Sequence, residues 1–313
     1  MISATSDGNA SANSTDKMPA KRNYLYAVIT VLIWATNAPL AKALLNGLPN
    51  LETLSISSFL AFGFLLAVNL KKDAPRLLKR YQPRDYGIMA ALGFIGLFVY
   101  TALYYCGLNH LTSQEACIVN YLWPIMLVIF SCVILKENLT PMKIIAMLSS
   151  FLGIVILSLG GGEGAVSGNR PLGIFCCLAA AACYGLFSVL NKKANYDQNI
   201  AMMIIWLTTG VSSLILGLFT ETWVPIRGVQ WLGMLWLGIV ISAVAYLLWA
   251  MALSDSENTA SIANLAYLTP FLSIVVSAIF LGEPIRIQAV IALVFIVGGI
   301  VLQNLFERKH VRH

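Results

Sequence analysis

Residues 113–135 read SQEACIVNYLWPIMLVIFSCVIL, and residues 259–281 read TASIANLAYLTPFLSIVVSAIFL. Each is a mainly apolar run with Tyr-Leu-x-Pro near its centre: Tyr121-Leu122-Trp123-Pro124 in the first and, 146 positions later, Tyr267-Leu268-Thr269-Pro270 in the second. The same offset carries Glu137 onto Glu283 and Gly153-Ile154-Val155 onto Gly299-Ile300-Val301. An offset of 150 aligns Trp34 with Tyr184 and Lys42 with Lys192. Apolar runs of this length, repeated in pairs along one chain, predict membrane helices in two related halves.

Eight further apolar segments can be marked outward from this pair. The spans are 24–45, 51–70, 86–108, 113–135, 141–160, 171–191, 199–219, 230–254, 259–281 and 286–306. At ~1.5 Å of rise per residue each is long enough for the hydrocarbon core. Composition agrees. Apolar residues make up 58% of the chain and charged residues 11%, against ~25% charged in soluble domains. So few charges cannot cover the exterior of a water-soluble protein of this length, and lipid is the natural solvent.

The net charge of +6 is spread between the apolar segments rather than along one face, which argues against a nucleic-acid partner and for orientation in a bilayer. With a cytoplasmic N-terminus, 16 of the 20 Lys and Arg residues fall on the inner side, leaving Lys42, Arg170, Arg227 and Arg286 outside. Both termini are then cytoplasmic. A five-helix repeat crosses an odd number of times, so the halves must be antiparallel. The expected fold is an all-α polytopic membrane protein of ten transmembrane helices in two inverted five-helix repeats.

The expected boundaries are a disordered cytoplasmic tail at 1–21, a first repeat at 22–160, an outer linker at 161–170, a second repeat at 171–306 and a cytoplasmic tail at 307–313. The tail is not read as a cleaved signal peptide, since no short apolar core with a cleavage site follows it. Gly160-Gly161-Gly162-Glu163-Gly164 lacks the Gly-Lys-[Ser/Thr] of a phosphate loop and reads as a linker. The six cysteines lie inside apolar segments without metal or redox spacing, and read as packing residues.

Two tandem repeats, each with a proline-bearing fourth helix, a Glu and a Gly-Ile-Val helix, resemble the drug/metabolite transporter superfamily, EamA type, over residues 22–306. Val119-Asn120-Tyr121-Leu122-Trp123-Pro124, Asn191-Lys192 and Ala245-Tyr246 with Trp249 are similar to the YddG-type aromatic amino-acid exporters, whereas Asn37 and Pro39 depart from that pattern. The resemblance implies a monomer-sized basket of helices around a central cavity, exporting amino acids or related metabolites.

The residues themselves point to a midplane site. Proline removes its own N–H and disrupts the bond to the carbonyl four residues back. Pro124 and Pro270 therefore mark helix breaks that free the carbonyls of Asn120 and Ala266. Freed carbonyls at that depth must face protein or a watery cavity. Polar and aromatic side chains recur at helical spacing: Trp34 with Asn37, Asn120 with Trp123, Tyr184 with Ser188, Tyr246 with Trp249, and Asn264 with Tyr267. Each pair shares one helix face. With Tyr104 of the third segment they form the candidate substrate-binding set, opposed at every position by core packing or interhelical hydrogen bonding.

No Asp, Glu, Lys or Arg occupies the middle of a segment. Phosphorylated cargo would call for basic groups, and exchange of cations for protons would call for a buried carboxylate. The expected cargo is a small neutral or zwitterionic solute, carried without tight proton coupling. The alternative within transport is a broad-specificity metabolite or drug efflux carrier. An integral-membrane enzyme is disfavoured: the histidines fall at 110, 310 and 313, and no nucleophile pairs with a base. Neither cofactor nor metal is expected, and the expected location is a bacterial inner membrane. At the segment ends, Glu137 and Glu283 read as structural partners of Lys136, Lys143 or Arg286, Lys42 as a snorkelling anchor, and His110 as a surface residue without partners.

Overall fold

The computed structural model describes residues 17–70, 78–79, 81–136, 138, 140–159, 168–194, 196–253 and 264–310. These residues form helices and connecting turns, with no strand among them. In chain order α1 comprises Lys17–Ala35 and Asn37–Leu45, α2 Asn50–Leu70, and α3 Pro83–His110. Next come α4, in two parts at Ser113–Asn120 and Trp123–Ile134, and α5, Pro141–Leu159. The later helices are α6, Arg170–Ala194, α7, Gln198–Thr220, and α8, Val229–Ala252. The last two are α9, Thr269–Leu281 after a 3-10 turn at Asn264–Leu268, and α10, Ile287–His310. Among the described residues seven helices are long and apolar enough to cross a membrane; the apolar stretches of α5, α9 and α10 are shorter. The protein is thus a multi-pass membrane protein.

Two boundaries differ from the expectation. The first helix reaches back to Lys17, into the stretch expected to be a disordered tail, and the last continues to His310. The glycine-rich linker at 160–164, Glu137 and most of the N-terminal tail lie outside the described residues.

The polarity of the bundle follows its solvent. Large apolar side chains are displayed outward, with Phe219 85% and Phe280 80% exposed. Hydroxyls are buried between helices, where a membrane protein gains from close approach and hydrogen bonding. Ser55 donates to the Gly210 carbonyl at 3.2 Å and Thr209 to the Gly93 carbonyl at 3.3 Å, tying α2 and α3 to α7.

The extensively packed pairs are α5 with α10, α2 with α7, α3 with α6, α4 with α6, α1 with α8, α1 with α9, α2 with α8 and α3 with α7. Exchanging the first five helices with the last five maps this set onto itself. The duplication in the sequence is therefore also a duplication of contacts.

Among the described residues five interruptions break the regular helices, and all lie toward the middle of the bundle. Pro39 has no N–H for the Ala35 carbonyl, and α1 turns at Thr36, whose N–H bonds to Ile33 at 3.1 Å. In α4 the turn falls at Tyr121-Leu122, and in α9 the 3-10 turn precedes Pro270. Helices α3 and α8 each widen into a π-helical stretch, at Phe94–Val99 and Trp236–Val244. Such widenings are frequent at functional sites.

Candidate functional site

A cavity of about 220 Å³ lies among these interruptions, lined by residues of α1–α4 and α6–α9. Helices α5 and α10 contribute none of its walls. Eight of the eleven candidate residues line it: Trp34, Asn37, Tyr104, Asn120, Trp123, Tyr184, Tyr246 and Trp249. Trp34 and Asn37 flank the α1 turn, and Asn120 and Trp123 flank the α4 turn, so each break turns two side chains toward one space.

The other three candidates fare differently. The Ser188 hydroxyl donates to the Tyr184 carbonyl at 2.7 Å, one turn back on its own helix, and does not reach the cavity. Tyr267 packs against the apolar core instead of lining the cavity. Asn264 begins the 3-10 turn, and its side chain lies outside the described residues. Pro124 and Pro270 are buried beside the cavity without lining it. Their neighbours Trp123 and Thr269 do line it.

Aromatic rings make two facing groups. Trp34 meets Tyr246 and Trp249 at centroid distances of 5.5 and 5.3 Å. Opposite them, Tyr184 meets Tyr100 at 5.0 Å and Trp123, edge to face, at 5.2 Å. The groups touch where the Tyr184 and Tyr246 hydroxyls lie 3.5 Å apart. Edge-to-face and tilted pairs hold such rings in place with ~0.5–1.5 kcal/mol each beyond their burial. Among the described residues, none that lines the cavity carries a formal charge.

The polar groups of the cavity are unevenly satisfied. The Asn120 amide donates to the Tyr100 hydroxyl at 3.1 Å, while its carbonyl oxygen has no partner among the described residues. The indole N–H of Trp206 is likewise buried without one. A buried acceptor or donor left unmade costs ~1–3 kcal/mol. By contrast, the carbonyl of Ala266, freed by Pro270, accepts from the hydroxyl of Tyr121. One half's tyrosine thus serves the other half's break.

Sequence reading missed Tyr100, Tyr105, Trp206, Ser57, Thr101 and Ser242, all of which line the cavity. Tyr100 carried a usable signal, standing one helical turn before Tyr104. Ser242 carried none: the π-helical stretch brings its hydroxyl to the Leu237 carbonyl five residues back, at 2.7 Å.

The end of the bundle that charge bias assigns to the outside is tied by carboxylates that cross between the halves. Glu283 accepts from Ser113 N–H at 2.7 Å, the Ser113 hydroxyl at 2.9 Å and Gln114 N–H at 3.1 Å. Thr112 takes the next donor, Glu115 N–H, at 3.2 Å. The orphan donors that open α4 are thereby accounted for. Glu221 does the same for α2, accepting from Leu51 N–H at 2.9 Å and Glu52 N–H at 3.2 Å. Arg170 pairs with Glu115 at 2.9 Å.

These contacts sharpen one expectation and correct two. Glu283 binds α4's amino end through the backbone donors of Ser113 and Gln114 and the Ser113 hydroxyl. The Lys42 ammonium does not snorkel outward; it donates to the carbonyls of Leu108 and Leu111 at the end of α3. His110 has a partner: its Nδ1 accepts from Asn169 N–H at 3.2 Å. At the opposite end, the Tyr196 hydroxyl donates to Asp85 at 3.1 Å. Burial and the Asp85 carboxylate raise the Tyr196 phenol above its usual range.

The EamA-like transporter family matches the chain at residues 21–159 and again at 171–305. The chain is 28% identical over 295 residues to an uncharacterized transporter of Bacillus subtilis, YvbV, spanning 92% of this chain and 93% of that protein. It is 27% identical over 289 residues to the aromatic amino acid exporter YddG of Ancylobacter novellus, spanning 91% and 98%. A crystal structure at 24% sequence identity matches with a TM-score of 0.68, covering 92% of this chain and 98% of its own, which shows the shared fold. One family matched twice, over nearly the whole of an all-helical membrane chain, makes this protein a member of the EamA-like transporter family.

Proposed function

We propose that this protein is a secondary carrier that exports amino acids, aromatic or other neutral zwitterionic ones, or closely related small metabolites. In this reading ten helices cross a bacterial inner membrane as two inverted repeats with both termini in the cytoplasm. Rocking of the halves opens the cavity alternately to either side, without a cofactor or catalytic step.

The observation that carries this reading is the uncharged aromatic cavity to which both halves contribute. At about 220 Å³ it is smaller than the ~300–1,000 Å³ typical of pockets for drug-sized ligands, which favours a small metabolite over a bulky drug. Its indole and phenol faces suit an aromatic side chain, and they attract an ammonium group by ~0.5–2 kcal/mol. The unpaired Asn120 carbonyl oxygen can accept from that ammonium, and the Trp206 N–H can donate to a carboxylate. The family and the YddG relative add support for transport and for the cargo class.

The test is counterflow in liposomes. Purified protein is reconstituted with unlabelled amino acids inside, and uptake of labelled Phe, Tyr, Trp and small aliphatic amino acids is followed. Exchange of at least one of them above protein-free liposomes is expected. Failure of every one would sink the amino-acid reading.

A further inference from the structure

Of the six cysteines, two meet across the boundary between the halves. Cys106 of α3 and Cys176 of α6 have their sulfurs 3.4 Å apart. The helices approach unusually closely at this level because glycines face the contact. A Cβ on Gly107 would lie 2.3 Å from the Cys177 sulfur, and one on Gly173 would lie 2.7 Å from the Leu111 side chain. All six thiols are free, Cys106 half-buried and Cys176 buried.

We propose that Cys106 and Cys176 are a reversible disulfide site that staples α3 to α6. The sulfurs have only to close from 3.4 Å to the ~2.05 Å of an S–S bond, a movement within reach of side-chain rotation. The oxidant is a low-molecular-weight disulfide. The half-buried Cys106, as thiolate, attacks one of its sulfurs, forming a mixed disulfide and expelling one thiol. Cys176 then gives up its proton and attacks the Cys106 sulfur, expelling the second thiol. In balance, two protein thiols and one external disulfide become one protein disulfide and two external thiols. Cys177 does not compete, because its sulfur is turned against Gly107 and fully buried.

Position gives the bridge its consequence. Cys106 lies four residues before the end of α3 at His110, and Cys176 six residues after the start of α6 at Arg170. In the orientation given under Proposed function, on which this step rests, that end faces the oxidising side of the membrane. Helix α3 carries Tyr100 and Tyr104 of the cavity wall, and α6 carries Tyr184. A covalent link between them fixes a wall shared by the two halves and arrests any cycle that needs the halves to part.

The full-length protein, reconstituted in liposomes, is treated with oxidised glutathione, denatured, and its remaining thiols are counted with a maleimide of known mass. Wild type is expected to fall from six thiols to four with no glutathione retained, Cys106→Ser to hold at five, and Cys176→Ser to fall from five to four with the mass of one glutathione added, the mixed disulfide that Cys176 no longer resolves. Peptide mass spectrometry of the wild type should recover residues 106 and 176 in one linked species. Six thiols after oxidation, or the loss of two thiols in either variant, would overturn the bridge. Counterflow on the same samples should drop to the protein-free level on oxidation, recover with dithiothreitol, and be unaffected in Cys106→Ser. A bridged protein that exchanges at the reduced rate overturns the arrest. A reduced protein that exchanges no amino acid overturns the export reading instead, and the thiol count still decides the bridge.

Discussion

The broken helices α4 and α9 carry the same Tyr-Leu-x-Pro frame and present different chemistry from it. In α4 the break turns an amide and an indole, Asn120 and Trp123, toward the cavity. In α9 the repeat-equivalent positions are Ala266 and Thr269. What is shared between the halves is backbone: a proline, a lost hydrogen bond, a turn near the middle of the bundle. What differs is the set of side chains that a bound solute would touch. In the proposed carrier the duplication would supply the moving frame and divergence within it the selectivity, the cavity having a polar aromatic wall and a plainer one.

The largest effects should fall on the α4 side. Asn120→Ala removes an acceptor for a charged group, which is worth about 1.5–3 kcal/mol, roughly ten- to 150-fold in affinity. The half-saturation concentration in counterflow should rise accordingly, with Trp123→Ala comparable, while Thr269→Val, which removes a neutral hydroxyl, costs less, about 0.5–1.5 kcal/mol or roughly two- to tenfold. Equal losses at Asn120 and Thr269 would erase the asymmetry.

Next in size is the bond between the two helices at their ends. Glu283→Ala leaves Ser113 and Gln114 N–H without their acceptor, and unfolding in detergent should move to lower temperature by the equivalent of about 1–3 kcal/mol. An unchanged melting temperature would mean that water replaces the carboxylate.

Tyr121→Phe strips the Ala266 carbonyl of its donor, and about 1 kcal/mol of stability should be lost. The smallest effect is reserved for Ser188→Ala, whose hydroxyl is spent on its own helix. Its transport rate should match wild type, and a clear fall would return that residue to the cavity.

The contrast between α4 and α9 was readable from the sequence because it rests on a repeat offset and two prolines, both one-dimensional signals. So were the apolar segments and most of the aromatic wall, since helical spacing puts Trp34 beside Asn37 and Tyr246 beside Trp249 on one face. Pro39 was in plain view but has no counterpart in the second half, and the α1 break it makes went unread. The π-helical stretches have no residue signature, so Ser242 and the exact facing of α3 could not be derived. Ser188 failed for a different reason. Spacing fixes the face of a helix but leaves a hydroxyl free to bond to its own backbone. End contacts such as Glu283 with Ser113 join residues 170 positions apart, and no local pattern announces them.

The carboxylate that opens α4 has a consequence for how the protein is made. The chain is synthesised from its N-terminus, so α4 is complete long before Glu283 exists. Until α9 arrives, the N–H groups of Ser113 and Gln114 lack the acceptor they have in the finished molecule, and the Tyr121 hydroxyl has no Ala266 carbonyl to meet. The first half therefore leaves the ribosome as a bundle with open valences rather than a finished module. Expressed alone it should be short-lived, and co-expression of the second half as a separate polypeptide should rescue it.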